Sequence, residues 1–269
     1  MTRPNPGHGP DHGNPAVDGL LRQVHELAQR DPLVCDLLDL DLLPLADDAE
    51  LLAAVLASVA PAGKSRAALG RLARSVFREA PSIVTSARAD LAAAAQRNLE
   101  PGGVSSALLF YRGFHALLAH RLSHHLWKTG AFDTALAVKT VLDRPLSTDI
   151  HPAAQIGVGV WFDHGVGVVI GETAVIEDDV SIWHGVTLGS TLKDSGPTRH
   201  PRVRRGATIG AGAVLLGNIE IGVGGVVAAG SVVLQDVPPN TTVAGVPARP
   251  RRRSGESFQG FGHSKGTQP

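Results

Sequence analysis

From residue 146 to residue 247 the chain repeats every six residues, and few folds accommodate that period. Beginning at Val203, an apolar residue stands at every sixth position: Val203, Ile209, Leu215, Ile221, Val227 and Val233. Four residues after each comes a second track of small or apolar residues, Ala207, Ala213, Ile219, Gly225, Ser231 and Val237. The same tracks run earlier through Ile150, Ile156 and Phe162, followed by Ala154, Val160 and Val166. After a two-residue slip they resume as Ile170, Ile176, Ile182 and Leu188, followed by Ala174, Val180, Val186 and Leu192. Six is neither the helical period nor that of a simple strand. A fixed short period marks a solenoid, in which each repeat buries its face against its neighbours. Hexads opening I-G-x-G or V-x-x-G predict a parallel β-helix of triangular coils. With three hexads per coil, the 13 hexads make a little over four coils. The stretch holds 17 of the 31 glycines, which supply positive φ where corners turn tightly.

The period breaks between Leu188 and Val203 (GSTLKDSGPTRHPR), which are fifteen positions apart where two hexads would make twelve. Loop 189–202 is therefore expected to project from one edge of the solenoid, a common place for function. Residues 17–145 are rich in Ala, Leu and Arg, with apolar residues three and four apart, as in Leu20, Leu21, Val24 and Leu27. That spacing predicts an all-helical domain of about seven helices, with Leu108–Trp127 as one long helix and Asp18 and Ser82 as N-caps. Residues 1–16 have almost nothing to bury and are expected to be disordered, and residues 248–269 form a basic, flexible tail. The fold class expected is α+β, an N-terminal helical domain followed by a parallel β-helix.

Composition excludes several functions. Apolar residues make up 43% of the chain, too many for wholesale disorder. The longest apolar run, near Leu51–Ala62, is about a dozen residues, short of the roughly 18–20 that a membrane helix needs. Lys plus Arg and Asp plus Glu balance at 25 each, so neither nucleic acid nor a membrane surface is an expected partner. The single cysteine, Cys35, rules out a disulfide framework and points to a cytoplasmic location.

Titratable residues inside so narrow a solenoid call for a chemical reading. Asp149 and His164 are 15 residues apart, close to one coil, and coils stack about 4.8 Å apart, so both side chains can emerge near one corner. A carboxylate beside an imidazole is the pair needed to activate a hydroxyl: the acid fixes the ring, and the other nitrogen takes the proton. A solvated pair without function has the same spacing. His120 and His124, at i and i+4, and His8 and His12 have metal-like spacing, but no third ligand accompanies them, so no metal is expected. His184, beside Trp183, reads as a packed or surface histidine.

Several segments resemble the serine O-acetyltransferases, members of the hexapeptide-repeat acyltransferases with a left-handed β-helix. They are D-I-H-P-A-A-Q-I-G (149–157), D-H-G-V-G-V-V-I-G-E-T-A-V-I (163–176), V-T-L-G (186–189) and R-H-P (199–201). Others are I-G-A-G-A (209–213), L-G-N-I-E-I-G (216–222), A-G-V-P-A-R (244–249) and, in the helical part, Y-R-G-F-H-A-L (111–117). The resemblance implies direct acetyl transfer from acetyl-CoA to the hydroxyl of L-serine, the first step of cysteine biosynthesis, without a covalent acyl-enzyme. His164 would be the general base and Asp149 its orienting partner. Arg199 would grip the substrate carboxylate with His200 assisting, while Asp163 and the residue at Asn98 would face the ammonium. CoA would lie in a groove between neighbouring β-helices, near Gly189, Ser190, Ala211 and Ala229, with Arg249 within reach of its phosphates. The resemblance also implies a homotrimer, or a dimer of trimers joined by the helical domain, with acetyl-CoA as co-substrate and no permanently bound cofactor.

The chain departs from that pattern in three places. Asn98 stands where the family carries an Asp, so L-homoserine or a related hydroxy amino acid is the alternative acceptor. The loop reads G-S-T-L-K (189–193) in place of G-G-T-G-K, and is one residue longer. The chain ends K-G-T-Q-P rather than in the isoleucine that docks into the sulfhydrylase, so that complex is not expected. A zinc lyase built on His164, His184 and His200 is a rival from another class, and a non-catalytic paralogue is a further one.

Overall fold

In the computed structural model, the residues described are 17–98, 103–191, 193, 196–254 and 258–260. The segment 1–16, Leu192 and the last nine residues, with the expectations attached to them, lie outside that set.

Eight helices precede the repeats: α1 (Leu20–Arg30), α2 (Pro32–Leu38), α3 (Asp48–Val59), α4 (Lys64–Glu79), α5 (Pro81–Arg97), α6 (Gly103–Phe110), α7 (Arg112–Lys128) and α8 (Phe132–Leu146). Proline opens α2 and α5 at the first turn, where its missing N–H costs nothing. The expected caps differ: Gly19 and Ala80 occupy those positions, whereas Asp47 caps α3 through Glu50 N–H. The expected long helix over Leu108–Trp127 breaks at Tyr111. The break lets α7 seat directly on the repeats. A Cβ on Gly113 would lie 1.9 Å from the Phe162 carbonyl oxygen, so only glycine permits this approach.

The repeats form three parallel sheets. Sheet A contains β1 (Asp149–Ile150), β4 (Val169–Ile170), β7 (Thr187–Gly189), β10 (Val214–Leu216) and β13 (Val232–Val233). Sheet B contains β2 (Gln155–Ile156), β5 (Val175–Ile176), β8 (Arg202–Val203) and β11 (Glu220–Ile221). Sheet C contains β3 (Trp161–Phe162), β6 (Ser181–Ile182), β9 (Thr208–Ile209), β12 (Val226–Val227), β14 (Thr241–Ala244) and β15 (Arg249–Ser254). The chain visits A, B and C in turn, so each coil has three corners. Ile150, Ile170, Leu188, Leu215 and Val233 stand in register up sheet A, all buried. The expected first track is therefore the core of the coil.

Three expectations change. The two-residue slip falls ahead of the second-track residue rather than after it: Val168 is fully buried on that track while Val166 is 42% exposed. The interruption replaces one hexad rather than two, because it joins β7 directly to β8 at the next corner. The tail is not wholly flexible. β15 pairs antiparallel with β14, and Phe258 stacks on Trp161 with ring centroids 5.5 Å apart.

One corner, between sheets B and C, anchors the helices. The Arg121 guanidinium donates to the Asp90 carboxylate at 2.6 Å and to the Gly157 carbonyl at 2.8 Å. Asp90 in turn accepts Val160 N–H, and Arg97 donates to the Gly159 carbonyl. Burial pushes the Asp90 carboxyl upward, opposed by Arg121.

Candidate active site

The corner between sheets C and A carries the imidazole expected to act as base. His164 has φ +59°, a left-handed conformation uncommon for a non-glycine residue, between Asp163 and the equally left-handed Gly165. The turn holds it there through Gly165 N–H donating to the Asp163 carbonyl at 2.7 Å. The ring is 65% exposed, with its Nε2 3.5 Å from Asp163 Oδ2. It faces a cavity of about 330 Å³ lined by Asn98, Tyr111, Arg112, Trp161 and Asp163 among others.

The register turns this corner into a column. Phe162 pairs with Ile182, Ile182 with Ile209, and Ile209 with Val227. Two positions after each stand His164, His184, Ala211 and Ala229; the last three stack in register, whereas the slip carries His164 out of it, and Gly185 N–H donates to the Val166 carbonyl beneath His184. Backbone bonds tie the column together: Gly212 N–H donates to the His184 carbonyl, and Gly230 N–H to that of Ala211. The His164 and His184 rings lie 5.6 Å apart. Three of the expected residues, His164, Ala211 and Ala229, thus share one edge. His184 joins them, although the sequence reads it as a bland residue. Arg249 opens β15, just past the Val246–Pro247 turn that closes the same edge.

Asp149 sits differently from the expectation. Its carboxylate accepts from Lys139 Nζ at 2.6 Å, and its ion pairs do not include His164. Lys139 also holds Asp143. Burial alone would lower Lys139, but its hydrogen bonds to Asp143 and Asp149 carry its pKa upward. The carboxylate beside His164 is Asp163.

Arg199 and His200 lie at the remaining corner, between sheets A and B, where the loop returns to β8. Thr173 Oγ1 accepts the backbone N–H groups of Arg199 and His200 at 3.0 and 3.1 Å. His200 Nδ1 accepts Thr173 N–H at 3.2 Å and lies 2.8 Å from Thr173 Oγ1, which assigns its ring proton to Nε2. Gly171 gives the ring its room, since a Cβ there would lie 2.0 Å from it. Arg199 pairs with Glu172, a residue that sequence reasoning did not single out. His151 shares this corner; burial lowers its pKa, opposed by Glu172. Gly189 ends β7 on sheet A, at the start of the same loop, with Ser190 next to it.

A sequence profile described as "Serine acetyltransferase, N-terminal" matches residues 18–119. The chain is similar to a serine acetyltransferase of Haemophilus influenzae, 41% identical over 229 residues that cover 85% of each chain. The chain belongs to the serine acetyltransferase family. A serine acetyltransferase of Salmonella typhimurium is 53% identical over 169 residues, 63% of this chain and 62% of that relative. Among solved structures, a serine acetyltransferase from Brucella abortus in complex with coenzyme A superposes with a TM-score of 0.82 at 40% identity, covering 91% of this chain and 96% of that one. Soybean serine acetyltransferase complexed with serine superposes with a TM-score of 0.81 at 41% identity, covering 90% and 100%. The reaction of serine acetyltransferases is acetyl transfer to the serine hydroxyl.

Proposed function

We propose that the chain transfers an acetyl group from acetyl-CoA to the hydroxyl of L-serine, giving O-acetyl-L-serine and free CoA. The observation that carries this reading is that His164 shares one corner of the coil with Ala211 and Ala229, beside the cavity lined by Asn98 and Asp163. His164 takes the hydroxyl proton as the serine oxygen attacks the thioester carbonyl. The C–S bond then breaks, and the imidazolium returns its proton to the leaving thiolate. CoA lies along the edge above His164, with Arg249 as a further contact and with Gly189 and Ser190 reaching it from the loop corner of a neighbouring copy.

Asp163 and Asn98 receive the substrate ammonium, the first by charge and the second as a neutral acceptor. Arg199 and His200 receive the carboxylate, because a guanidinium presents paired N–H donors to it. These two groups occupy different corners of one coil. The reading therefore has a neighbouring copy supply the second corner, in a homotrimer with a left-handed coil, and the helical domain join two trimers. Asp149 serves as the orienting carboxylate once it exchanges Lys139 for His164. Acetyl-CoA is a co-substrate, not a resident cofactor, and the enzyme works in the cytoplasm.

Thiol release from acetyl-CoA, measured over a panel of hydroxy amino acids, tests the reading. Turnover with L-serine is expected; its absence sinks the proposal. Asn98 in the cavity favours one second reading, L-homoserine or a related acceptor, and the same panel separates the two by kcat/KM.

A further inference from the structure

We propose that Asp163, His164 and His184 form a binding site for a divalent transition-metal ion, and that an ion held there inhibits the enzyme by occupying its base. The inhibitory half of this proposal rests on His164 as the base; the binding half does not.

One ligand atom from each residue lies within 4.8 Å of the others. Asp163 Oδ2 and His164 Nε2, 3.5 Å apart, already have about the separation that two ligands keep when each lies ~2.0–2.2 Å from one zinc ion. His184 projects from the next coil, its ring 5.6 Å from that of His164 and tilted by 60°. The backbone beneath the trio is fixed. β3 and β6 are in register, Asp163 N–H donates to the Ile182 carbonyl, and Gly212 N–H donates to that of His184. Both rings are exposed, so rotation about their side-chain bonds closes the remaining gap without moving the coil.

The donor set selects the ion. Two imidazoles and a carboxylate suit Zn²⁺, Co²⁺, Ni²⁺ or Cu²⁺, whereas Mg²⁺ and Ca²⁺ prefer oxygen ligands. With neutral rings the trio carries a single negative charge, so a divalent cation gains Coulomb energy there. Three protein ligands leave coordination positions open to water on the cavity side. An imidazole nitrogen bound to metal has no lone pair for a substrate proton. Occupancy and base catalysis therefore exclude one another. His184 explains the site's presence here, because the proposed acetyl transfer assigns that residue no task.

The test uses the untagged full-length protein stripped with EDTA. Visible absorption on titration with Co²⁺ should show one ion per chain with imidazole-type bands. His184→Gln and Asp163→Asn, both changes of side chains at a surface corner, should each weaken binding by about tenfold or more. Zn²⁺ should inhibit acetyl transfer, followed by loss of thioester absorbance, and EDTA should restore it. In His184→Gln the Zn²⁺ concentration for half-inhibition should rise by about tenfold or more, whatever the variant's own turnover. Absence of Co²⁺ bands, or binding unchanged in both variants, overturns the site. Binding without inhibition upholds the site and overturns His164 as the base, so the two failures are distinguishable.

Discussion

The corner that carries His164 and the corner that carries His200 both interrupt the hexad period, yet they are built in opposite ways. His200 is 8% exposed, and Thr173 engages both its ring and its backbone. His164 is 65% exposed and stands on a left-handed residue. The first corner is set before any ligand arrives, as suits a group that must hold a carboxylate in one orientation. The second is open and incomplete, as suits a base that must meet both a substrate and a long cofactor. On the proposed reading, recognition is preorganised on one edge while the chemistry awaits a second surface.

The largest expected effect strikes the open corner. His164→Ala should lower kcat by about 10²–10⁴-fold, the usual worth of a general base, with the coil intact by circular dichroism. A change under tenfold would move the chemistry away from this corner. The third corner, which anchors the helices, should respond in stability instead. Asp90→Ala leaves the Arg121 guanidinium, itself buried, without its carboxylate. Such truncations cost about 3–5 kcal/mol, to be measured by denaturant unfolding. A cost below 1 kcal/mol would show that the ion pair does not hold the helices to the coil.

The preset corner should respond in binding. Gly171→Ala places a methyl group where the His200 ring lies, so KM for serine should rise by about tenfold, the scale of one lost charge-assisted contact, with a smaller change in kcat. A matching loss in kcat would tie this corner to the chemical step and erase the contrast. Below these corners, where α7 meets the first coil, acid should weaken the fold. Burial drives the His120 pKa well below its ordinary value, and His115, His124 and His151 are also lowered, each chiefly by burial. In the unfolded chain these rings bind protons near pH 6.5, while the folded protein resists protonation. Stability should therefore be full above about pH 7 and fall as the pH drops through 6.5. Thermal melts between about pH 8 and pH 5 would show it, and His120→Gln should flatten the curve.

Much of this contrast is legible in the residues. The sixfold track yields the three sheets because Ile, Val and Leu must recur inward once per side. The same arithmetic stacks Ala229 over Ala211 at an offset of one coil, and Ala211 over His184 at one coil plus the nine residues that the loop adds. The break at Tyr111 is not legible, because the local pattern stays helical and only the meeting of Gly113 with Phe162 interrupts it. Nor is the grip of Lys139 on Asp149, which depends on where α8 comes to rest against β1. Glu172 and Thr173 escaped notice because their partners lie across the inserted loop, and its nine residues beyond one hexad hide the pairing.

The smallest effect sharpens the comparison most. Asn98 ends α5 and lines the cavity on the open corner, where a carboxylate would add a second negative charge near Asp163. Asn98→Asp should lower KM for L-serine by about two- to fivefold, the range of a partly solvated ion pair with the ammonium. A longer acceptor such as L-homoserine carries its hydroxyl one methylene farther from the ammonium, so with the hydroxyl at His164 its ammonium would lie displaced from the added carboxylate and gain less. If the substitution improves homoserine more than serine, the open corner rather than the loop sets the choice of acceptor, and the neutral Asn98 is the residue that tunes it.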